Sequence, residues 1–328
     1  MQHFFKSILF IKCLIISLVL SILVSCTSKL EKEIQSIPMD FELHRFDKKF
    51  ATAHIEDLAE LKEAYPIFFN PSIEDEFWIE KIQDTLQIEL ETEVLDVFPK
   101  DEDLYNPLKN VFQHIKYYFP HFDAPVVYTS TTDVAYEYKV ILAGEDMVIG
   151  LDNYLGKDHY FYEGIQRYFT QNMHPARIPI DVSVEIARHF VAPIQDRTFL
   201  SEILYYGKLL YMAELWNPRA SDALIIGYTD EQWQWAIENE EDIWRYFIEK
   251  EILYSTDSNL KQRFIDDGPF SKFYLEIDNE SPGRIGMYIG WKIVSSYMKH
   301  NKVSFDELAI LDADLIFKNS KYKPRKNK

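Results

Sequence analysis

Apolar residues recur every three or four positions over 55–64, 73–95 and 104–119, a spacing that predicts three helices. Pro66 and Pro71 punctuate the gap between the first two, and Pro120 ends the third. The character changes over 126–132, 138–142 and 147–151. These runs are short, apolar and β-branched, and Gly144-Glu145-Asp146 separates the last two, the pattern of a hairpin in a small antiparallel sheet. Alternation at Phe41, Leu43 and Phe46 adds a strand over 40–46. From Tyr160 onward the spacing is helical almost throughout: 160–171, 179–191, 199–216, 221–226, 231–254, 260–265, 284–300 and 305–317. No internal repeat or low-complexity linker divides the chain. The expectation is a single α+β domain over 39–317, predominantly helical, with an N-terminal helical layer, the small sheet and a helical C-terminal half. A basic tail over 318–328 is expected to fray.

Composition narrows the function. The 328 residues, 47% of them hydrophobic, suffice for a large core. A formal charge of -18 repels phosphate backbones and argues against nucleic-acid binding. Only 10 glycines occur, none before Gly144, and G-x-G-x-x-G, the P-loop and G-x-S-x-G are all missing. Both cysteines, Cys13 and Cys26, lie in the N-terminal segment. The body therefore has no disulfide, no cysteine nucleophile and no cysteine-based zinc site.

Residues 1–25 read as a secretory signal, with Lys6 as a positive start and an almost unbroken apolar run over 13–24. Lys12 splits the segment and leaves it short for a membrane-spanning helix. It ends Leu23-Val24-Ser25-Cys26, a bacterial lipobox, in which the cysteine thiol is acylated and becomes the first mature residue. Each buried acyl methylene contributes about 0.8 kcal/mol, so several chains hold firmly. Residues 26–38 then read as a polar tether, reaching roughly 40 Å at ~3.3 Å per residue. The expected location is the cell envelope, lipid-anchored through Cys26 and facing the periplasm. The choice between inner and outer membrane stays open. The basic tail suits contact with anionic lipid or cell-wall polymer as well as plain solvation.

Four blocks resemble the gliding motility lipoprotein family GldB of Bacteroidetes. They are Gly150-Leu151-Asp152-Asn153-Tyr154-Leu155-Gly156; Trp216-Asn217-Pro218 with Ile226-Gly227-Tyr228-Thr229; Asp267-Gly268-Pro269-Phe270; and Ser281-Pro282-Gly283-Arg284-Ile285-Gly286, running into Gly290-Trp291-Lys292-Ile293-Val294. With the lipobox they span nearly the whole chain. The resemblance implies an envelope lipoprotein required for gliding, partnered by other gliding or secretion proteins, with no established enzymatic activity or cofactor. The family is also distantly similar to zincin-type zinc-dependent proteases. That implies a degenerate zincin-like domain and directs attention to the helix at 178–191.

A zincin helix carries H-E-x-x-H, two zinc ligands one turn apart and a glutamate that activates the bound water. With Glu185 as the motif glutamate, the ligand positions hold Val184 and Arg188; with His189 as the second ligand, the first becomes Glu185 and the base position holds Ile186. Neither frame makes a peptidase site. A reduced zinc site remains, with Glu185 and His189 at i, i+4 and Glu202 or Glu214 as a third ligand. The competing reading is a polar stripe of Asp181, Glu185, Arg188 and His189, with Glu185 paired to Arg188.

Other residues carry two readings each. Asp152, Asn153 and Tyr154 follow a strand and either line a cleft or close a turn. Lys208 interrupts an apolar helix and either neutralises a cleft carboxylate or reaches solvent. Arg284 opens a helix, where the dipole disfavours a cation, so it points to an acidic partner such as Asp278 or Glu280, or to solvent. Gly283, Gly286 and Gly290 share a face and predict close helix packing. Trp233, Trp235 and Trp244 accompany Glu238, Glu240, Glu241 and Asp242 as an acidic face over an aromatic core, or as a partner surface. The leading expectation is a non-catalytic envelope lipoprotein. The alternatives are a pseudo-peptidase that binds peptide or glycan, with Tyr205, Tyr206 and Tyr211 near its cleft, and an active zinc metallohydrolase using Glu185 and His189.

Overall fold

The computed structural model describes residues 29–275 and 278–326; Cys26 and the expected signal lie outside them. Residues 29–35 form a helix, α1. A short strand, β1 (Leu43–Arg45), runs directly into α2 (Phe46–Ala51), and α3 (Leu58–Ala64) and α4 (Asp75–Gln83) follow. Next come α5 (Thr85–Val97), α6 (Glu102–Tyr118), β2 (Val126–Ser130), β3 (Val140–Ala143), β4 (Asp146–Gly150) and α7 (Arg167–Thr170). The helical half comprises α8 (Ile178–Phe190), α9 (Phe199–Trp216), α10 (Asp222–Ile226), α11 (Asp230–Glu238), α12 (Glu240–Glu249), α13 (Asn259–Phe264), α14 (Ile285–His300), α15 (Phe305–Ile310) and α16 (Ala313–Asn319).

Three expected helices are broken, two of them by an aspartate that caps the helix that follows. Asp84 caps α5 by accepting from the Leu86 amide, and Asp312 caps α16 by accepting from Asp314 and Leu315. Asn239 separates α11 from α12. The helix expected over 160–171 is reduced to a 3-10 turn at Tyr160–Tyr162 and the single turn α7, with Gly164 at φ +87° between them.

The sheet is mixed, which corrects the antiparallel expectation. Its order is β1-β2-β4-β3; β1 and β4 both run parallel to β2, and only the β3–β4 hairpin is antiparallel. The hairpin turns at Gly144, φ +65°, a conformation that costs glycine little. Alternate residues Val127, Thr129, Met147 and Ile149 are fully buried, so one face of the sheet lies on the core.

Helix α9 is apolar all round and is buried on both sides. Leu209, Met212 and Trp216 belong to the core formed with the sheet, α6 and α8. Phe199, Ile203 and Leu210 belong to a second core formed with α14 and the C-terminal helices. A small third core, around Phe46, Phe69 and Trp78, holds α2 to α4. The expected glycine face holds for two of its three members: Gly290 packs on the Ile203 backbone and Gly286 on Phe264 and Ile203, whereas Gly283 precedes α14 and packs on the Gly268 backbone. The tryptophans sit over core. Trp233 lies against Tyr288 and Trp291, and Trp244 against Phe317 and Tyr322.

Both ends of the body are better fixed than their composition suggests. The described part of the expected tether, 29–38, is docked on α6. Ile34 is 1% exposed, Gln113 donates to the Gln35 and Ile37 carbonyls, and Glu31 pairs with His114 and Arg219. The basic tail is also held. The Tyr322 hydroxyl and the Arg325 amide both donate to buried Glu240, which also accepts from Tyr288. Amphipathic packing outweighs polar composition at the N-terminal end, and hydrogen bonds to a buried carboxylate do so at the C-terminal end.

Candidate functional site

A cleft of about 560 Å³ opens between the strand β3, α8, α9 and the start of α14. Asp181, Glu185 and Arg188, from the polar stripe of α8, line it. The helix is amphipathic because Ile178, Val182 and Ile186 face the sheet core, which leaves the stripe for the opening. Lys139 enters from the residue before β3, Arg177 from the turn before α8, and Arg284 from the residue before α14.

Three of these cations are matched. Arg177 is buried, and one of its terminal nitrogens donates to Asp181 while the other donates to the Leu224 and Ile225 carbonyls. The second Asp181 oxygen accepts from the Tyr154 hydroxyl at 3.0 Å. Arg188 lies 3.6 Å from Glu185. Arg284 has φ +58°, sparsely populated for a residue with a side chain, and its guanidinium donates to the Gly227 carbonyl and pairs with Asp267 at 3.4 Å. The partner of Arg284 is therefore Asp267, in place of the Asp278 or Glu280 expected from sequence.

Lys139 is the exception. It is half-buried, its ammonium lies 5.9 Å from the centre of the Tyr154 ring, and among the described residues no carboxylate forms an ion pair with it. Burial holds its pKa below the usual lysine value, partly offset by the more distant Asp181. Sequence reasoning missed Lys139 and Arg177. Each reads locally as the flank of a strand or a helix, and only the fold brings them together.

The other expected cleft residues fall elsewhere. Asp152 and Asn153 are fully buried and close the turn at 132–134: Asp152 accepts from the Thr132 and Val134 amides at 2.9 and 2.7 Å. Tyr154 is buried beneath the cleft and reaches it only through Asp181. Lys208 neither enters the cleft nor reaches solvent. It is 6% exposed, donates to the Leu311 carbonyl at 2.6 Å, and burial lowers its pKa to about 8.

The zinc reading does not fit the residues present. Arg188 occupies one zincin ligand position and is paired with Glu185, and Val184 occupies the other. His189 is exposed, and its Nδ1 lies 3.1 Å from the Glu185 carbonyl oxygen of its own helix. Neither alternative third ligand joins Glu185 and His189 in a metal-binding group, and Glu202 lies near Lys261 and Asp266. Glu214 instead accepts from the Trp291 indole at 2.8 Å. Among the described residues no group of three or more His, Cys, Asp or Glu side chains has metal-binding geometry. The zincin-like description of the domain gains no support from the fold or from the comparisons below.

Among the described residues no helix is long and apolar enough to cross a membrane. A family model described as "Gliding motility protein GldB" matches residues 27–324. No curated protein matches the chain, and no solved structure matches it.

Proposed function

This chain belongs to the GldB family of gliding motility proteins, and from that membership we propose that it is a non-catalytic lipoprotein of the cell envelope. In this reading acylated Cys26 holds it to the membrane, and its folded body engages other components of a gliding or associated secretion assembly. One observation carries the reading: the family match begins at Thr27, immediately after the lipobox cysteine. The non-catalytic part is supported by α8, where Arg188 and Glu185 pair with each other at positions a zincin would give to metal and base.

The test is gliding itself. A Cys26→Ala chain, produced at the normal level, is expected to leave cells non-gliding. A folded Glu185→Ala/His189→Ala chain is expected to support gliding as well as the parent. Gliding that survives loss of Cys26 overturns the anchor. Loss of gliding in the folded double variant overturns the non-catalytic assignment.

A second reading has its own observation. Glu185 and Arg188 line a cleft within the size range of small-ligand sites, roughly 300–1,000 Å³. The cleft then holds a peptide without cleaving it.

A further inference from the structure

We propose that the cleft beside α8 seats the C-terminal carboxylate of a peptide, with the Lys139 ammonium as its counter-ion. The inference rests on the reading of the cleft as a peptide site and names the chemistry it recognises.

Charge pairing leads to it. Arg177, Arg188 and Arg284 each have a carboxylate within 3.6 Å, whereas Lys139 has none. Asp181 attracts it only from beyond ion-pair distance, its two oxygens being engaged by the Arg177 guanidinium and the Tyr154 hydroxyl. Glu137, two residues before Lys139, is exposed. A half-buried cation without a direct partner loses hydration that the longer-range attraction of Asp181 and Asp267 offsets only in part, so a bound anion recovers the remainder. That loss is visible in the lowered lysine pKa.

The surroundings select the anion. Glu185, Asp266 and Asp267 also line the cleft, and the chain carries a net charge of -18, so a polyanion is repelled. One negative charge suits one free ammonium. The volume of about 560 Å³ accommodates a chain end. Tyr136, Phe169 and Tyr206 at the walls offer ring faces to the residues that precede the carboxylate. Carboxylates on the remaining walls can accept the peptide's N–H groups.

The experiment uses the full-length protein in detergent micelles and two pools of acetylated, fully randomised tripeptides, one of free acids and one of C-terminal amides. Acylation of each lysine by an N-hydroxysuccinimide ester is followed by peptide mass spectrometry, with exposed Lys157 as the internal reference. The acid pool is expected to slow modification of Lys139 at least threefold, and the amide pool less than 1.5-fold. Saturation-transfer NMR with the acid pool should show binding to the parent and none to a folded Lys139→Met variant. Equal protection by acids and amides leaves a peptide site but overturns the carboxylate assignment. Equal protection by acetate alone shows a general anion site and also overturns it. No protection and no saturation transfer from either pool overturns both the carboxylate assignment and the peptide reading.

Discussion

Gly207 and Gly290 bring the backbones of α9 and α14 into direct contact. A Cβ built on Gly207 would stand 2.4 Å from the Gly290 carbonyl carbon, and one on Gly290 would stand 1.8 Å from the Ile203 carbonyl oxygen. No side chain intervenes, so neither helix can yield by changing a rotamer. Because α9 serves two cores, a shift here disturbs both. Gly290→Ala is expected to cost about 3 kcal/mol or more, at the upper end of overpacking effects. Urea denaturation measures it, and a cost below ~1 kcal/mol would show that the contact is looser than described.

Ile34 separates a docked N-terminal segment from a free one. It is 1% exposed against the body, in a stretch whose composition reads as a polar tether. Ile34→Ala is expected to destabilise the protein by ~2–4 kcal/mol, the usual range for a truncated core isoleucine. A free tether predicts no change. Thermal melts of parent and variant, compared at one protein concentration, decide between the two.

Glu91 makes stability depend on pH. It is 4% exposed, and burial raises its pKa from 4.5 to about 7, with Asp47 and Asp133 adding to the rise and Gln87 and Lys81 opposing it. A carboxyl whose folded pKa is raised contributes stability that is complete below pH 4.5 and lost as the pH climbs through 7. At ~1.36 kcal/mol per pH unit the loss amounts to at most ~3–4 kcal/mol. Glu91→Gln should therefore be more stable than the parent at pH 8, and the advantage should shrink to nothing near pH 4. Melting curves at both pH values test this. An advantage independent of pH would exclude titration of Glu91 as its cause.

Asp152 holds a strained turn. Asp133 and Val134 have φ +55° and +56°, and a β-branched residue in this region is a conformational outlier. The Asp152 carboxylate accepts from the Thr132 and Val134 amides and from the Thr132 hydroxyl at 3.1 Å. Asp152→Ala is expected to cost roughly 3 kcal/mol or more, since hydrogen bonds to a charged group contribute about 1.5–3 kcal/mol each. Hydrogen exchange at the Thr132 and Val134 amides should accelerate in the variant. Unchanged exchange would place the restraint elsewhere.

Local signals were legible and long-range ones were not. The bounds of α9 follow from its largely apolar run, and the β3–β4 hairpin from its Gly144 turn. The parallel partners of β2 carry no such mark. Leu43 pairs with Val127 across more than eighty residues, and nothing near either position specifies the direction. Lys208 looked like a cleft or surface residue because its acceptors, the Ala309 and Leu311 carbonyls, are a hundred positions away. The polar stripe on α8 was visible from spacing alone, including the Glu185–Arg188 pair. That Lys139 stands opposite it is a product of tertiary packing.

The docking of 29–37 also limits how far the protein can reach. Only Thr27 and Ser28 stand between Cys26 and the first described residue, a span of about 10 Å even when fully extended. With Cys26 at the bilayer, as proposed, the body rides on a post rather than swinging on a rope. A chain of this size has a diameter of roughly 50 Å. Partners that lie farther than ~60 Å from the membrane surface are then out of range unless they approach it themselves.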